Sequence, residues 1–156
     1  MELIYTFETW DIEKANKSIF LAGPTPRSDD VISWRPDAIE ILESFKFNGM
    51  VFIPEYREGS SDKYDDMYLD QIGWEHVALD NCEIILMWVP RELKDMPAFT
   101  TNVEYGLYVK SQRLFYGRPA SAPKNEYLDY CYRKFAKRRP VNNLSELIKE
   151  CISCLK

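Results

Sequence analysis

Four short runs of this sequence are apolar on consecutive residues: Ser18 to Ala22 (SIFLA), Val51 to Pro54 (VFIP), Glu83 to Pro90 (EIILMWVP) and Arg113 to Tyr116 (RLFY). A strand turns successive side chains to opposite faces, so a run that is apolar throughout belongs in a sheet covered on both sides. Between the runs, Ser33 to Phe45, Tyr68 to Leu79 and Thr101 to Ser111 carry apolar residues at three- and four-residue spacing, as in the stripe Trp34, Ala38, Ile41, Leu42 and Phe45. That spacing places one apolar stripe on a helix. Strand and helix alternate along the chain, which predicts an α/β fold: a doubly wound, open parallel sheet of flavodoxin- or Rossmann-like type with right-handed crossovers.

The punctuation agrees. Pro36 falls in the first turn of its helix, where a missing N–H is harmless, and Gly117, Pro119 and Pro140 break the later chain. Two C-terminal helices are expected over Asn125 to Ala136 and Leu144 to Leu155. Glu2 to Thr9 alternates and reads as an edge strand or a hairpin arm. With 156 residues, 46% of them hydrophobic, and no internal repeat, the chain is expected to form a single domain over 1–156.

Composition excludes several classes of function. Only 9 prolines and 6 glycines occur in 156 residues, too few for a collagenous or low-complexity chain. The net charge of −5 argues against nucleic acid as a partner, since phosphate contacts need clustered cations. The one basic run, Arg133 to Arg139 (RKFAKRR), reads as a helix end whose cations face the carbonyl pole. No apolar run is long enough to cross a bilayer, and MELIYTFETWDIEK lacks the features of a signal peptide, so no membrane association and a cytoplasmic setting are expected. The cysteines Cys82, Cys131, Cys151 and Cys154 accompany a single histidine, His76. Cys151-x-x-Cys154 lies in an amphipathic helix without a second ligand pair, which reads as free thiols with no metal site.

In a doubly wound sheet, ligands bind beyond the carboxyl ends of the strands, where strand order reverses. The first core strand is followed by Gly23-Pro24-Thr25-Pro26-Arg27-Ser28, which is neither a G-x-G-x-x-G fingerprint nor a Walker loop. A rigid βα turn and a binding loop both fit it, and Arg27 with Ser28 suits a single phosphate. After the second strand, a polar loop from Glu55 through Ser60, Ser61 and Asp62 to Asp66 reads as a lid. Glu75 lies beside the sheet-facing stripe Trp74, Ala78 and Leu79, towards the ligand edge. Thr101-x-x-Glu104 matches a capping box at a helix start, where the positive pole also keeps a carboxylate ionised, as a nucleophile requires. Among Phe20, Trp34, Tyr56, Trp74 and Trp88, a stacking face for a nucleobase is expected from Phe20 and Trp88.

Taken in order, Leu21-Ala22-Gly23-Pro24-Thr25, Trp74-Glu75, Trp88-Val89-Pro90-Arg91, Thr100 to Gly106 (TTNVEYG), Gly117-Arg118-Pro119 and Lys124-Asn125-x-Tyr127-Leu128 resemble the nucleoside 2-deoxyribosyltransferase-like superfamily over about Ser18 to Leu128. The resemblance implies cleavage of the N-glycosidic bond of a 2′-deoxynucleoside and transfer of the sugar to another base, with no metal or cofactor. Glu104 matches the family's nucleophilic glutamate, which attacks C1′ as in a retaining glycosidase. Glu75 aligns with an acidic residue that contacts the base and assists its departure. Asn125 matches a sugar-contacting asparagine, and Gly23, Pro24, Thr25 and Arg27 form the substrate loop. Family members place an aspartate six residues before the nucleophile; this chain has Ala98, so sugar recognition is expected through Asn102 or Asp80.

The same fold houses nucleotide N-hydrolases that grip a 5′-phosphate, a role open to Arg27, Ser28, Arg91 and Arg118. Three classes of function therefore stand: a deoxyribosyltransferase, a nucleoside or nucleotide N-hydrolase, and a non-catalytic nucleotide-binding module. The family also forms homo-oligomers, and the same is expected here.

Overall fold

The computed structural model describes residues 1–28, 30–60 and 67–155, so the stretch from Ser61 to Asp66 read as a lid lies outside the described residues. Its five strands are β1 (Glu2–Tyr5), β2 (Ser18–Ala22), β3 (Met50–Ile53), β4 (Ile84–Trp88) and β5 (Leu114–Gly117), all parallel in the order β1-β3-β2-β4-β5. The helices are α1 (Arg35–Ser44), α2 (Tyr68–Asn81), α3 (Phe99–Tyr108), α4 (Glu126–Cys131), which runs on into a π-helical turn (Tyr132–Ala136), and α5 (Leu144–Cys154). A 3₁₀ helix (Ile12–Lys17) returns the chain from β1 to β2.

The two-faced apolar runs do form the buried strands. Strand parity divides their side chains between two cores. Phe20, Ala22, Phe52, Ile85 and Met87 pack with Ala78 and Leu79 of α2, Tyr105 of α3 and Leu128 of α4. Ile19, Leu21, Val51, Ile53, Leu86 and Trp88 pack on the other face with Ala38 and Leu42 of α1 and Leu147 and Ile148 of α5. The fold is the expected flavodoxin/Rossmann-like α/β sheet with helices on both faces.

Local departures have local causes. The N-terminal segment is an edge strand: it runs parallel to β3, with Glu2 opposite Met50 and Tyr5 opposite Ile53, which a hairpin arm would not do. Phe45, read as the last residue of the α1 stripe, is 41% exposed because the helix ends at Ser44 and the chain turns away. Among the described residues no helix is long and apolar enough to cross a membrane, and no cluster of His, Cys, Asp or Glu has the composition of a metal site. All four cysteines are free thiols.

From β2 the chain passes through α1 to β3 on one side, then through α2 to β4 on the other. Strand order thus reverses between β2 and β4, and the segments that leave these two strands converge there.

Candidate active site

The loop after β2 is held by two devices. Gly23 has φ +148°, and a Cβ there would lie 2.1 Å from the Trp88 carbonyl oxygen, so only glycine allows this approach to the end of β4. Arg35, at the start of α1, supplies the second. Its Nε donates to the Leu21 carbonyl at 3.0 Å, Nη2 to the Gly23 carbonyl at 2.8 Å, and Nη1 to Thr25 Oγ1 at 3.0 Å and Glu55 Oε1 at 2.6 Å. The guanidinium links the loop after β2 to Glu55, two residues past the end of β3.

Between these loops, α2 and the start of α3 lies a cavity of about 570 Å³. That is within the usual range of small-molecule sites, roughly 300–1,000 Å³. Gly23, Pro24, Thr25 and Arg27 line one side; Gln71, Glu75 and His76 of α2 line another; Ala98, Phe99, Val103 and Glu104 complete it. Tyr56 and Tyr68 supply further ring surface.

Three carboxyls line this space: Glu55, held by Arg35, and Glu75 and Glu104, which interact with each other. Glu104 is half-buried and is pushed up to about 8 by burial and then by the neighbouring Glu75, with Arg35 opposing. Burial raises Glu75 as well, while the Gln71 hydrogen bond, Arg35 and His76 draw it down. Two interacting like charges resist joint ionisation, so the pair holds a proton readily. The Glu104 carboxyl takes part in no hydrogen bond with any described residue.

The geometry corrects the capping-box reading. Helix α3 starts at Phe99, with Ala98 in the left-handed conformation (φ 61°, ψ 42°) as its N-cap. Thr101 is therefore a buried residue of the first turn, and Glu104 lies in the second turn, beyond the orphan amides a box would satisfy. The carboxyl is free of capping duty. Nor does the helix pole hold it ionised, since burial and Glu75 prevail.

The other sequence-predicted residues divide. Glu75, Glu104, Gly23, Pro24, Thr25 and Arg27 meet at the cavity. Phe20 does not reach it: the side chain is 1% exposed and stacks on Phe52 at 6.4 Å within the core. Trp88 turns to the opposite core, against Trp34, because odd and even strand positions face different helices. Asn125 is buried; its Oδ1 accepts from Arg91 at 3.3 Å. Asn102 is exposed and accepts from the same guanidinium at 2.8 Å. Asp80 accepts from Tyr108 at 2.6 Å. None of these three lines the cavity, whereas Ala98 does.

Of the cations offered for a phosphate, Arg118 is held by Asp129 at 2.7 Å and Arg91 by its two asparagines and the Pro97 carbonyl. Arg27 alone of the four residues lies on the cavity wall with an exposed charge. Its guanidinium sits 5.2 Å from the Phe99 ring centre, and it has no ion pair among the described residues. Ser28 lies beside it in a shallower adjoining hollow, its Oγ buried without a hydrogen-bond partner among the described residues.

Sequence reasoning missed Arg35, Gln71 and the ring surface of Tyr68 and Phe99. Two signals were available. A cation at the first position of a helix opposes the macrodipole, so Arg35 had to be recruited by something else. Gln71 stands four residues before Glu75, the spacing at which helical side chains meet.

Fold and site together define an α/β protein with a carboxyl pair in a cavity at the switch point of a parallel sheet. The chain belongs to the nucleoside 2-deoxyribosyltransferase-like family, whose sequence model matches residues 16–120 and so spans the segments that carry Gly23, Arg35, Glu75 and Glu104. No curated protein matches the sequence.

Proposed function

We propose that this protein cleaves the N-glycosidic bond of a 2′-deoxynucleoside and passes the sugar to another base. The observation that carries this reading is a carboxyl with no structural duty, Glu104, facing a small-molecule cavity beside a second carboxyl with which it competes for a proton. In the active state the pair holds one proton. The reaction starts once that proton has passed from Glu104, which holds it in the folded chain, to Glu75, leaving Glu104 the anion. As the C1′–N bond breaks, its electrons pass to the base nitrogen, which takes the proton from Glu75, while a Glu104 oxygen bonds to C1′. The acceptor base then attacks C1′, returns the electron pair to Glu104 and yields its proton to Glu75.

Tyr56, Tyr68 and Phe99 offer stacking surface for the base, and the loop from Gly23 to Arg27 holds the rest of the substrate. The reading is of an enzyme acting in the cytoplasm on small molecules, without metal or cofactor. It includes a homo-oligomer, because α3 presents Phe99, Val103 and Leu107 to solvent at 65%, 64% and 58% exposure along one stripe.

A second reading, in which water is the acceptor and the substrate is a nucleotide, is favoured by the exposed guanidinium of Arg27 at the cavity wall. One assay separates the outcomes. With 2′-deoxyinosine and adenine supplied as nucleoside and base, formation of deoxyadenosine means transfer; hypoxanthine with free deoxyribose means hydrolysis. Binding without turnover of either the nucleoside or its 5′-monophosphate means a non-catalytic module. Glu104→Gln is expected to reduce either reaction by at least about 10³-fold. Survival of activity in a folded Glu104→Gln variant would show that the nucleophile lies elsewhere.

A further inference from the structure

Beside the carboxyl pair runs a short chain of hydrogen bonds that the mechanism above does not use. The Tyr56 hydroxyl donates to Gln71 Oε1 at 2.8 Å, and Gln71 Nε2 donates to Glu75 Oε1 at 2.8 Å. All three side chains line the cavity. The second carboxyl oxygen, Glu75 Oε2, is bonded to no described residue. The chain crosses from the loop after β3 to α2, so it joins two elements of the cavity wall.

We propose that Gln71 and Tyr56 are positioning residues for the leaving-group acid: they pin Glu75 Oε1 as an acceptor and so keep the transferable proton on Oε2. This rests on the reading of Glu75 as the proton donor. An amide N–H donates more strongly to a carbonyl or carboxylate oxygen than to a carboxyl O–H, so the Gln71 donor disfavours protonation at Oε1. The opposite amide orientation would present Gln71 Oε1 to Glu75 and draw the carboxyl proton away from the substrate. The Tyr56 hydroxyl, by donating to Gln71 Oε1, holds the orientation that turns Nε2 to Glu75. When the proton moves from Oε2 to the departing nitrogen, Glu75 becomes a carboxylate, and the Gln71 hydrogen bond strengthens as that charge develops. Among the described residues, the other charged or titratable groups around this cavity are Glu104 on α3, Arg35 on α1, His76 and Tyr68 on α2, Glu55 after β3 and Arg27 after β2.

The test compares two leaving groups. Hypoxanthine needs a proton to depart from 2′-deoxyinosine; the base of N7-methyl-2′-deoxyguanosine carries a positive charge already and leaves without one. Both substrates are supplied as nucleosides and as 5′-monophosphates, with adenine as acceptor, and products are resolved by chromatography. Gln71→Met keeps the chain length and removes the amide. It is expected to slow deoxyinosine turnover at least tenfold, a part of the roughly 10²–10⁴ that a positioned acid supplies. Its loss on the methylated substrate is expected to be at least tenfold smaller. The alkaline limb of the deoxyinosine pH profile moves to higher pH, because a carboxylate deprived of a donor binds its proton more tightly. Tyr56→Phe shows both effects to a smaller degree. Thermal melting of each variant reports its folding. Equal losses on the two substrates, or an unmoved alkaline limb, in variants that melt like the parent would overturn the proposal. A parent protein inert towards all four substrates would overturn the glycosidic reading itself, and this proposal with it.

Discussion

Arg35 meets Glu55 at 2.6 Å beside the cavity, with the arginine side chain 1% exposed and the glutamate 21% exposed. The same guanidinium carries the carbonyls of Leu21 and Gly23. A buried cation this heavily engaged holds the ends of β2 and β3 in register at their ligand edge. Replacing it removes one charge and leaves the partners unpaired, a loss of about 3–5 kcal/mol when a buried pair is broken. Arg35→Met is therefore expected to lower the urea midpoint markedly. A midpoint within experimental error of the parent would refute the clamp.

Glu104 makes stability depend on pH. Its folded value of about 8 stands above the unfolded 4.5, so between these the folded chain holds a proton that the unfolded chain has released. Stability contributed by this group is full below about 4.5 and is lost as pH rises towards about 8. Glu75, raised in the same direction, adds to the slope. Urea titrations at pH 5 and pH 8 are expected to show the parent weaker at the higher pH. Glu104→Gln flattens the difference by an amount on the order of 3 kcal/mol. An undiminished slope in the glutamine variant would place its origin elsewhere.

The exposed charge of Arg27, stacked on Phe99, separates the nucleoside and nucleotide readings. If the substrate carries a 5′-phosphate, Arg27→Ala loses a charge-assisted contact worth roughly tenfold or more in affinity. KM for a 5′-monophosphate should then rise at least tenfold more than KM for the nucleoside. Equal changes in both would remove Arg27 as the phosphate reader.

On α3, Leu107 continues the stripe of Phe99 and Val103 and is 58% exposed. A charge at such a position in a monomer costs within about 0.5 kcal/mol, whereas in a subunit interface it is prohibitive. Sedimentation at micromolar concentration should give an assembly for the parent and an 18 kDa species for Leu107→Asp. A parent that sediments as a monomer would end the oligomer reading.

The strands were legible because each run is apolar on both faces, and sheet burial on two sides is the one environment that rewards this pattern. The starts of helices were less so. Thr101 and Glu104 match a capping sequence, yet α3 begins at Phe99, because Ala98 adopts a left-handed turn that no side-chain motif announces. Glu75 and Glu104 were found by position after their strands and by family resemblance. Phe20 and Trp88 were expected at the base site by the same edge argument, but strand parity sends the two side chains into opposite cores.

Local periodicity was thus enough to specify a parallel α/β sheet and the edge at which it would bind a ligand, since alternation and helical spacing are properties of neighbouring residues. The electrostatic coupling of Glu75 to Glu104, the Arg35 clamp and the Tyr56–Gln71 chain arise only from packing. Each joins groups from different elements, and both the burial that raises a carboxyl and the hydrogen bond that orients one depend on distances that no stretch of chain contains by itself.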